Sequence, residues 1–310
     1  MSGFVRFLIR RLVHSLITLL AISILVFITI RLSGNPAAAM LASGNATKGA
    51  IHKLSVALGL NKPLWVQYVH FLAQALHGNL GISYFTKQPV SGLIASRFWL
   101  TFYLAIVSTL FSLAIAIPLG IIAALNRGTL IDLFIRIFSL LGVSFPNFWL
   151  GIMMILIFAV DLHWFPASGS GHLTSIVLPA LTLGMILAGI LARLVRSTLL
   201  ETLHQDYVRT AHAKGVSKLW VILKHAFRNT LIPLITFIGL QFGTLLGGVV
   251  IIENVFAWPG LGQLALSAVQ NRDYPIVQGV VIFFAAMLIF TNFLVDVSYA
   301  FIDPRIKVGE

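Results

Sequence analysis

Long apolar stretches free of charge dominate the pattern along this chain. Between successive Asp, Glu, Lys or Arg residues lie six such blocks, residues 12–30, 98–126, 137–160, 162–192, 229–252 and 274–295. A helix rises about 1.5 Å per residue and a bilayer core is about 30 Å thick, so blocks of this length predict six transmembrane helices. In the fourth block Pro166, Gly169, Gly171 and His172 predict a loop, and the helix starts near Ile176 and continues past Arg193. Residues 62–87 are also uncharged but read differently. There Gln67, His70, Gln74 and His77 recur at steps of three, four and three, opposite Tyr68, Phe71, Leu72 and Leu76. That pattern predicts a helix lying on a surface, with a second short amphipathic helix at about residues 50–58. Residues 32–97 thus form a folded loop.

Composition agrees with the bilayer as solvent. The chain is 58% hydrophobic and 10% charged, with a mean hydropathy of +0.97, against about 45–50% apolar and 25% charged in soluble domains. A soluble enzyme is excluded and an all-α, polytopic membrane protein is expected. The absence of cysteine removes disulfides, thiolate metal sites and cysteine nucleophiles. Of the Lys and Arg residues behind the +12 net charge, Arg6, Arg10 and Arg11 precede the first block and Arg127 with Arg136 follow the second. Seven more fall from Arg193 to Arg228, and Arg305 and Lys307 close the chain. All of these lie on one side of a six-span topology, which by the positive-inside bias is the cytoplasm, so both termini are expected there and nucleic acid is not a partner. The Arg-rich start, its apolar run and Ala37, Ala38 and Ala39 mimic a signal peptide, but the run exceeds the usual 7–15 residues and reads as an uncleaved anchor. Three regions follow: 1–97, a first helix and outer loop; 98–302, the transmembrane core; and 303–310, a cytoplasmic tail.

Four features could carry function. In the cytoplasmic stretch 193–233, Leu219, Ile222, Leu223, Ala226 and Phe227 form an apolar stripe, Gly215 marks a helix end, and Thr210, Ala211 and Ala213 leave room for another protein to approach. A short helix of this kind can transmit a push from a partner, and the same pattern also describes a basic helix resting on lipid headgroups. In the fifth block Gly239, Gly243 and Gly247 recur every four residues with Gln241 and Thr244 nearby, a ridge suited to close helix packing within the chain, a subunit interface or a pathway. Residues 253–275, with Glu253, Phe256, Trp258, Pro259, Gly260 and Gly262, read as an interfacial hairpin in which Trp258 anchors at headgroup level. Asp296, about 9 Å from the end of the last helix, is expected to pair with Arg136 or Arg193. The histidine spacings suit no metal: His70 and His77 are about 10.5 Å apart along a helix.

The stretch Tyr207-Val-Arg-Thr-Ala-His-Ala-Lys-Gly215 with the later Arg228-Asn-Thr-Leu-Ile-Pro233 resembles the cytoplasmic signature of binding-protein-dependent ABC importer permeases. Likeness to the dipeptide, oligopeptide and nickel branch extends through Arg10-Arg11, Leu58-Gly-Leu-Asn-Lys-Pro-Leu-Trp-Val-Gln-Tyr68, Gly142-Val-Ser-Phe-Pro-Asn-Phe-Trp149, Glu253-Asn-Val-Phe-Ala-Trp-Pro-Gly-Leu-Gly262, Arg272-Asp-Tyr-Pro275 and Asp303-Pro-Arg305. The resemblance implies a type I importer permease fold and a coupling helix that docks on a cytoplasmic ATPase through Arg209, Thr210, Ala211, Ala213, Lys214 and Gly215. Where older patterns begin Glu-Ala-Ala, this chain has Arg209-Thr210-Ala211, as is usual in the peptide branch. It further implies an outer gate at Glu253, Trp258 and Pro259, and a second, non-identical permease. Two ATPase subunits and an extracytoplasmic solute-binding protein complete the assembly, in a bacterial inner membrane. The chain has no Gly-x-x-x-x-Gly-Lys-Ser/Thr loop, so it is expected to be neither an enzyme nor a cofactor binder, with ATP hydrolysed on separate subunits. Expected cargo is short peptides, glutathione, nickel or a metal chelate; the rival class is an ion-gradient-driven secondary transporter, which usually carries midplane ionisable residues.

Overall fold

The computed structural model describes residues 2–34, 37, 47–57, 59–217 and 220–302. Its helices are α1 (Ser2–Leu32), α2 (Lys48–Ala57), α3 (Leu64–Leu76), α4 (Val90–Leu125), α5 (Leu130–Ser144), α6 (Asn147–Met154), α7 (Val177–Leu203), α8 (Asp206–Ala213), α9 (Phe227–Gly248), α10 (Val250–Val255), α11 (Leu261–Gln270) and α12 (Tyr274–Ile302). Five stretches are long and apolar enough to cross a bilayer: Ile9–Leu32, Val90–Leu125, Leu173–Leu203, Phe227–Leu246 and Tyr274–Val297. A sixth candidate is a bent pair, Leu130–Gly142 with Asn147–Asp161, whose halves meet at 102°. Asp303 to Arg305 of the tail, and Leu58, Lys218 and Leu219, lie outside the described residues.

The third apolar block departs from a straight span at 137–160 for a local reason. Pro146 has no N–H to give to a preceding turn, and its ring drives Phe145 out of the helical region, to φ −83° and ψ 137°. Helix α5, which starts at Leu130, therefore stops there, and a new helix begins at Asn147. Helix α4 also starts earlier than the apolar block, at Val90 behind Pro89. Its 36 residues make it about 54 Å long, so it projects beyond a bilayer.

Helix α7 is the centre of the bundle: its most apolar stretch is 72% buried, against 6% for α12. It packs along α4 at backbone distance. A methyl group at Gly120 would stand 2.8 Å from the Ala192 carbonyl oxygen, and one at Gly184 3.0 Å from that of Ser108. Around this seam Ala116, Leu187, Leu191, Val195 and Leu234 form one apolar cluster, and Leu104, Leu178, Ile252, Phe256 and Trp258 another. The surface helix expected at 62–87 is α3, whose apolar stripe covers α1: Phe27 meets Tyr68 edge-on at 5.4 Å, and the Ser23 and Tyr68 hydroxyls lie 2.7 Å apart. The short helix expected near residues 50–58 is α2.

Asp296 is paired, but not with either arginine expected. Helix α12 lies beside α1, which brings Arg11 to Asp296, whereas Arg136 lies 3.6 Å from Asp132.

A side chain at the α4–α7 seam must force the two backbones apart. Gly120→Val is expected to destabilise by about 1–3 kcal/mol, read as a lowered apparent Tm of the detergent-solubilised protein. Gly92→Ala, at a position with open space around it, should leave Tm unchanged, and equal Tm values for both variants would refute the tight seam.

Candidate functional site

Two ends of the bundle are built differently. At one end α7 turns through two residues into α8, and Gly215, at φ +78°, ends α8. The Val216 N–H donates to the Ala211 carbonyl at 3.3 Å, and Val216 packs with Ala211 in a small core with Val208, Val221 and Leu203. This is a Schellman stop, which needs the left-handed conformation that glycine adopts without strain. The Tyr207 hydroxyl accepts from Asn229 Nδ2 at 2.6 Å, tying α8 to α9.

Inward and outward faces of α8 are distinct. Val208 and Ala211 are buried, whereas Arg209, Thr210, Ala213, Lys214 and Gly215 are exposed. Ala211 is thus small because it packs under the helix. The remaining five residues present a low, positively charged ledge whose smallest members, Ala213 and Gly215, stand beside Lys214. The Arg209–Asp206 pair, 3.9 Å apart with side chains 76% and 99% exposed, does little to hold this surface.

In the first turn of α5, Asp132 is buried and receives Arg196 in a two-pronged pair, Nε to Oδ1 at 2.7 Å and Nη2 to Oδ2 at 2.8 Å. The Gly128 N–H adds a third bond at 3.1 Å. The pair locks α5 to α7. Sequence reasoning missed it; Thr129, whose side chain accepts from the Asp132 N–H, caps the start of α5.

In α9 the glycine ridge faces α12. A methyl on Gly239 would lie 2.5 Å from Val295 Cγ2, and one on Gly243 3.3 Å from Thr291. Gly247 lies in the same helix. Gln241 falls on the far side of α9 from the ridge at 100° per residue and is half-buried, whereas Thr244 lies on the flank and is exposed.

At the other end of the bundle, the fully buried Glu253 is a junction of three segments. Its carboxylate accepts from Thr101 Oγ1 at 2.6 Å and from the Gly262 and Gln263 N–H groups at 2.7 and 3.1 Å, capping α11. Thr101 Oγ1 in turn accepts from the Leu261 N–H at 2.8 Å. Gly260 is required by space, since a methyl there would sit 2.0 Å from Glu253 Oε1. Trp258 is 3% exposed and donates to the Leu100 carbonyl, and Arg97 donates to that of Pro259. This hairpin is therefore folded into the core, and Trp258 is not a headgroup anchor. A related joint was also missed: the buried Asp273 accepts from the Ser83 hydroxyl and the Tyr84 and Phe85 N–H groups, at 2.6 to 3.2 Å. Nothing in the local pattern around Thr101 or Ser83 signals these long-range bonds. Among the described residues no three His, Cys, Asp or Glu side chains come together as a metal site.

Residues 116–308 match the family described as binding-protein-dependent transport system inner membrane component, and residues 4–105 match its N-terminal membrane component. The glutathione transport system permease protein GsiC of Escherichia coli O6:H1 (strain CFT073) is 41% identical over 301 residues, covering 97% of this chain and 98% of that protein. Its counterpart in Salmonella typhimurium (strain LT2) is 42% identical over the same span. Among solved structures, the inward-facing MetNI methionine ABC transporter superposes with a TM-score of 0.57 at 19% identity, over 68% of this chain and 96% of that one. An amino acid ABC transporter with histidines reaches 0.53 at 12%, over 67% and 93%.

Removing the Glu253 carboxylate strands the Thr101 hydroxyl and two buried N–H groups. Glu253→Ala should therefore lower stability by about 3 kcal/mol in a thermal-melting assay, while Glu201→Gln, at an exposed carboxylate, stays within about 0.5 kcal/mol. A Glu253→Ala protein that melts with the wild type would sink the junction.

Proposed function

This chain belongs to the family of binding-protein-dependent transport system inner membrane components, and we propose that it carries short peptides of the glutathione class inward. Its place as an ABC importer permease subunit, a multi-pass inner-membrane protein rather than an enzyme, comes with the family. The reading of cargo rests on one observation: identity of 40% or more with glutathione permeases along nearly the whole chain. Transport powered by an ion gradient is set aside by the same membership.

The coupling step proposed here runs through the α8 ledge. Arg209, Thr210, Ala213, Lys214 and Gly215 dock on one of two cytoplasmic ATPase subunits, with Ala211 holding the helix from beneath. Because the Val208–Ala211–Val221 core and the Tyr207–Asn229 bond fasten α8 to α7 and α9, a push on the ledge is passed to two spans at once. The Asp132–Arg196 pair carries it to α5, and the Gly239–Val295 contact carries it to α12. Gln241, on the opposite side of α9, then faces the path, which a second, non-identical permease closes.

At the other end, Glu253, Trp258 and Pro259 form an outer gate that moves as one body, since they are bonded to each other's loop and to α4. An extracytoplasmic solute-binding protein delivers cargo there, beside α2 and α3. The Lys and Arg distribution supports this orientation, with both termini in the cytoplasm.

Uptake of labelled glutathione, dipeptide and nickel into cells lacking the gene, with and without a plasmid copy, tests the cargo. Restored glutathione or dipeptide uptake is expected; restoration of nickel uptake alone would overturn the peptide reading. Gly215→Glu both strains the stop and puts a carboxylate on the ledge. It should insert normally, lose copurification with the ATPase and cut uptake by more than roughly tenfold. Normal uptake with the ATPase retained would overturn the coupling assignment.

A further inference from the structure

A cavity of about 650 Å³ opens between the end of α1, helix α3 and the start of α12. Its wall carries the cations Arg31, Lys62 and Lys87 and includes no carboxylate. The imbalance extends well past the cavity, because the first acidic residue of the chain is Asp132. Asp273 is the nearest candidate counter-charge, but its oxygens are occupied by the Ser83 hydroxyl and the Tyr84 and Phe85 N–H groups. Among the described residues no carboxylate comes within ion-pair distance of Arg31, Lys62 or Lys87.

Three buried polar atoms on the same wall also lack partners: Arg31 Nε, Gln278 Nε2 and Gln67 Oε1. Gln67 Nε2 bonds the Leu60 and Lys62 carbonyls, which can only accept, so its oxygen is the atom left over. Two unpaired donors, one of them the Nε of a guanidinium, call for an oxyanion, and one unpaired acceptor calls for a neighbouring hydroxyl. Such groups are costly to leave bare in a protein interior.

Position narrows the ligand. Arg31 lies one residue from the end of the apolar stretch Ile9–Leu32, at the depth of lipid phosphates. On the adjoining surface of α3, Leu64, Trp65 and Val69 are exposed at 49%, 70% and 56%, as expected of a helix bathed in the interface. Burial pushes the Tyr84 phenol in the cavity wall up to about 12, against the opposing charge of Arg31, so it remains a neutral hydrogen-bond donor.

We infer that this cavity is a phosphate-binding site, in which Arg31 and Gln278 hold the phosphate oxygens of an anionic phospholipid and Gln67 accepts from a headgroup hydroxyl. Lys62 and Lys87 supply the remaining positive charge at its rim. A free phosphate offers the same oxyanion and is distinguished by the test. The site is separate from the α8 ledge and does not depend on which solute is carried.

The full chain, purified in detergent after extraction from membranes, is examined by native mass spectrometry for bound phosphatidylglycerol and phosphatidylcholine. In parallel, the chain in phosphatidylcholine nanodiscs is titrated with inorganic phosphate by calorimetry. Wild type should retain phosphatidylglycerol over phosphatidylcholine, and Arg31→Gln should lower that retention roughly tenfold. The surface variant Lys62→Gln/Lys87→Gln, which disturbs no packing, should weaken it in the same direction. Phosphate binding in nanodiscs that both variants lose, without selective lipid retention, would uphold the oxyanion site with a soluble ligand. If neither phosphatidylglycerol nor phosphate binding responds to Arg31 or to the two lysines, the site does not exist.

Discussion

Everything else in this molecule is arranged around the contact of α7 with α4. Within a bilayer, lipid tails are as apolar as leucine, so helices gain little by hiding apolar surface from one another and must be held by close packing and polar bonds. Gly120 and Gly184 let these two backbones come within van der Waals reach. Once they do, Leu104, Leu191 and Val195 are fully enclosed. Helices α5 and α9 are laid against α7, α12 touches α4 and carries α1 on its side, and α1 and α12 stay largely uncovered.

What packing does along the seam, buried carboxylates do at the ends. The chain has nine acidic residues, and three of them, Asp132, Glu253 and Asp273, are almost completely enclosed. Each joins elements far apart in sequence: α5 with α7, α10 with α4 and α11, and the loop before α4 with the start of α12. A carboxylate accepting several N–H or O–H bonds is oriented by all of them, so each junction fixes angle as well as distance. Rigid ends linked by smooth helix contacts make a body in which displacement of one helix is shared by its neighbours. That is the mechanical requirement of the coupling step proposed for α8.

How far the sequence was legible follows from the range of the interactions. Elements governed by local rules could be read directly: the apolar blocks behind the spans, the polar stripe of α3, and Gly215 at the end of α8. The break at Phe145–Pro146 was readable in principle, since a proline restricts the residue before it, but block length alone hid it. Side-chain partners were another matter. Asp296 was recognised as needing an arginine, yet the choice of Arg11 depends on α1 lying beside α12, which no local pattern encodes. Trp258 looked like an interfacial anchor because aromatic residues near a span usually are; its burial follows from Thr101 and Glu253 pulling the hairpin inward across more than 150 positions of chain.

The two faces of α8 show why composition and function must be read separately. Small residues recur along it, but Ala211 is small because Val221 and Val216 press on it from below, while Ala213 is small on an exposed surface. Only the second kind of smallness is unexplained by the fold. The same distinction applies to charge. Asp132 and Arg196 cancel each other and are accounted for internally, whereas Arg209 on the ledge has only the exposed Asp206 at 3.9 Å, and among the described residues Lys214 and Arg31 have no carboxylate within ion-pair distance. Residues whose size or charge the chain leaves unanswered are the ones on which the proposed docking ledge and phosphate site rest.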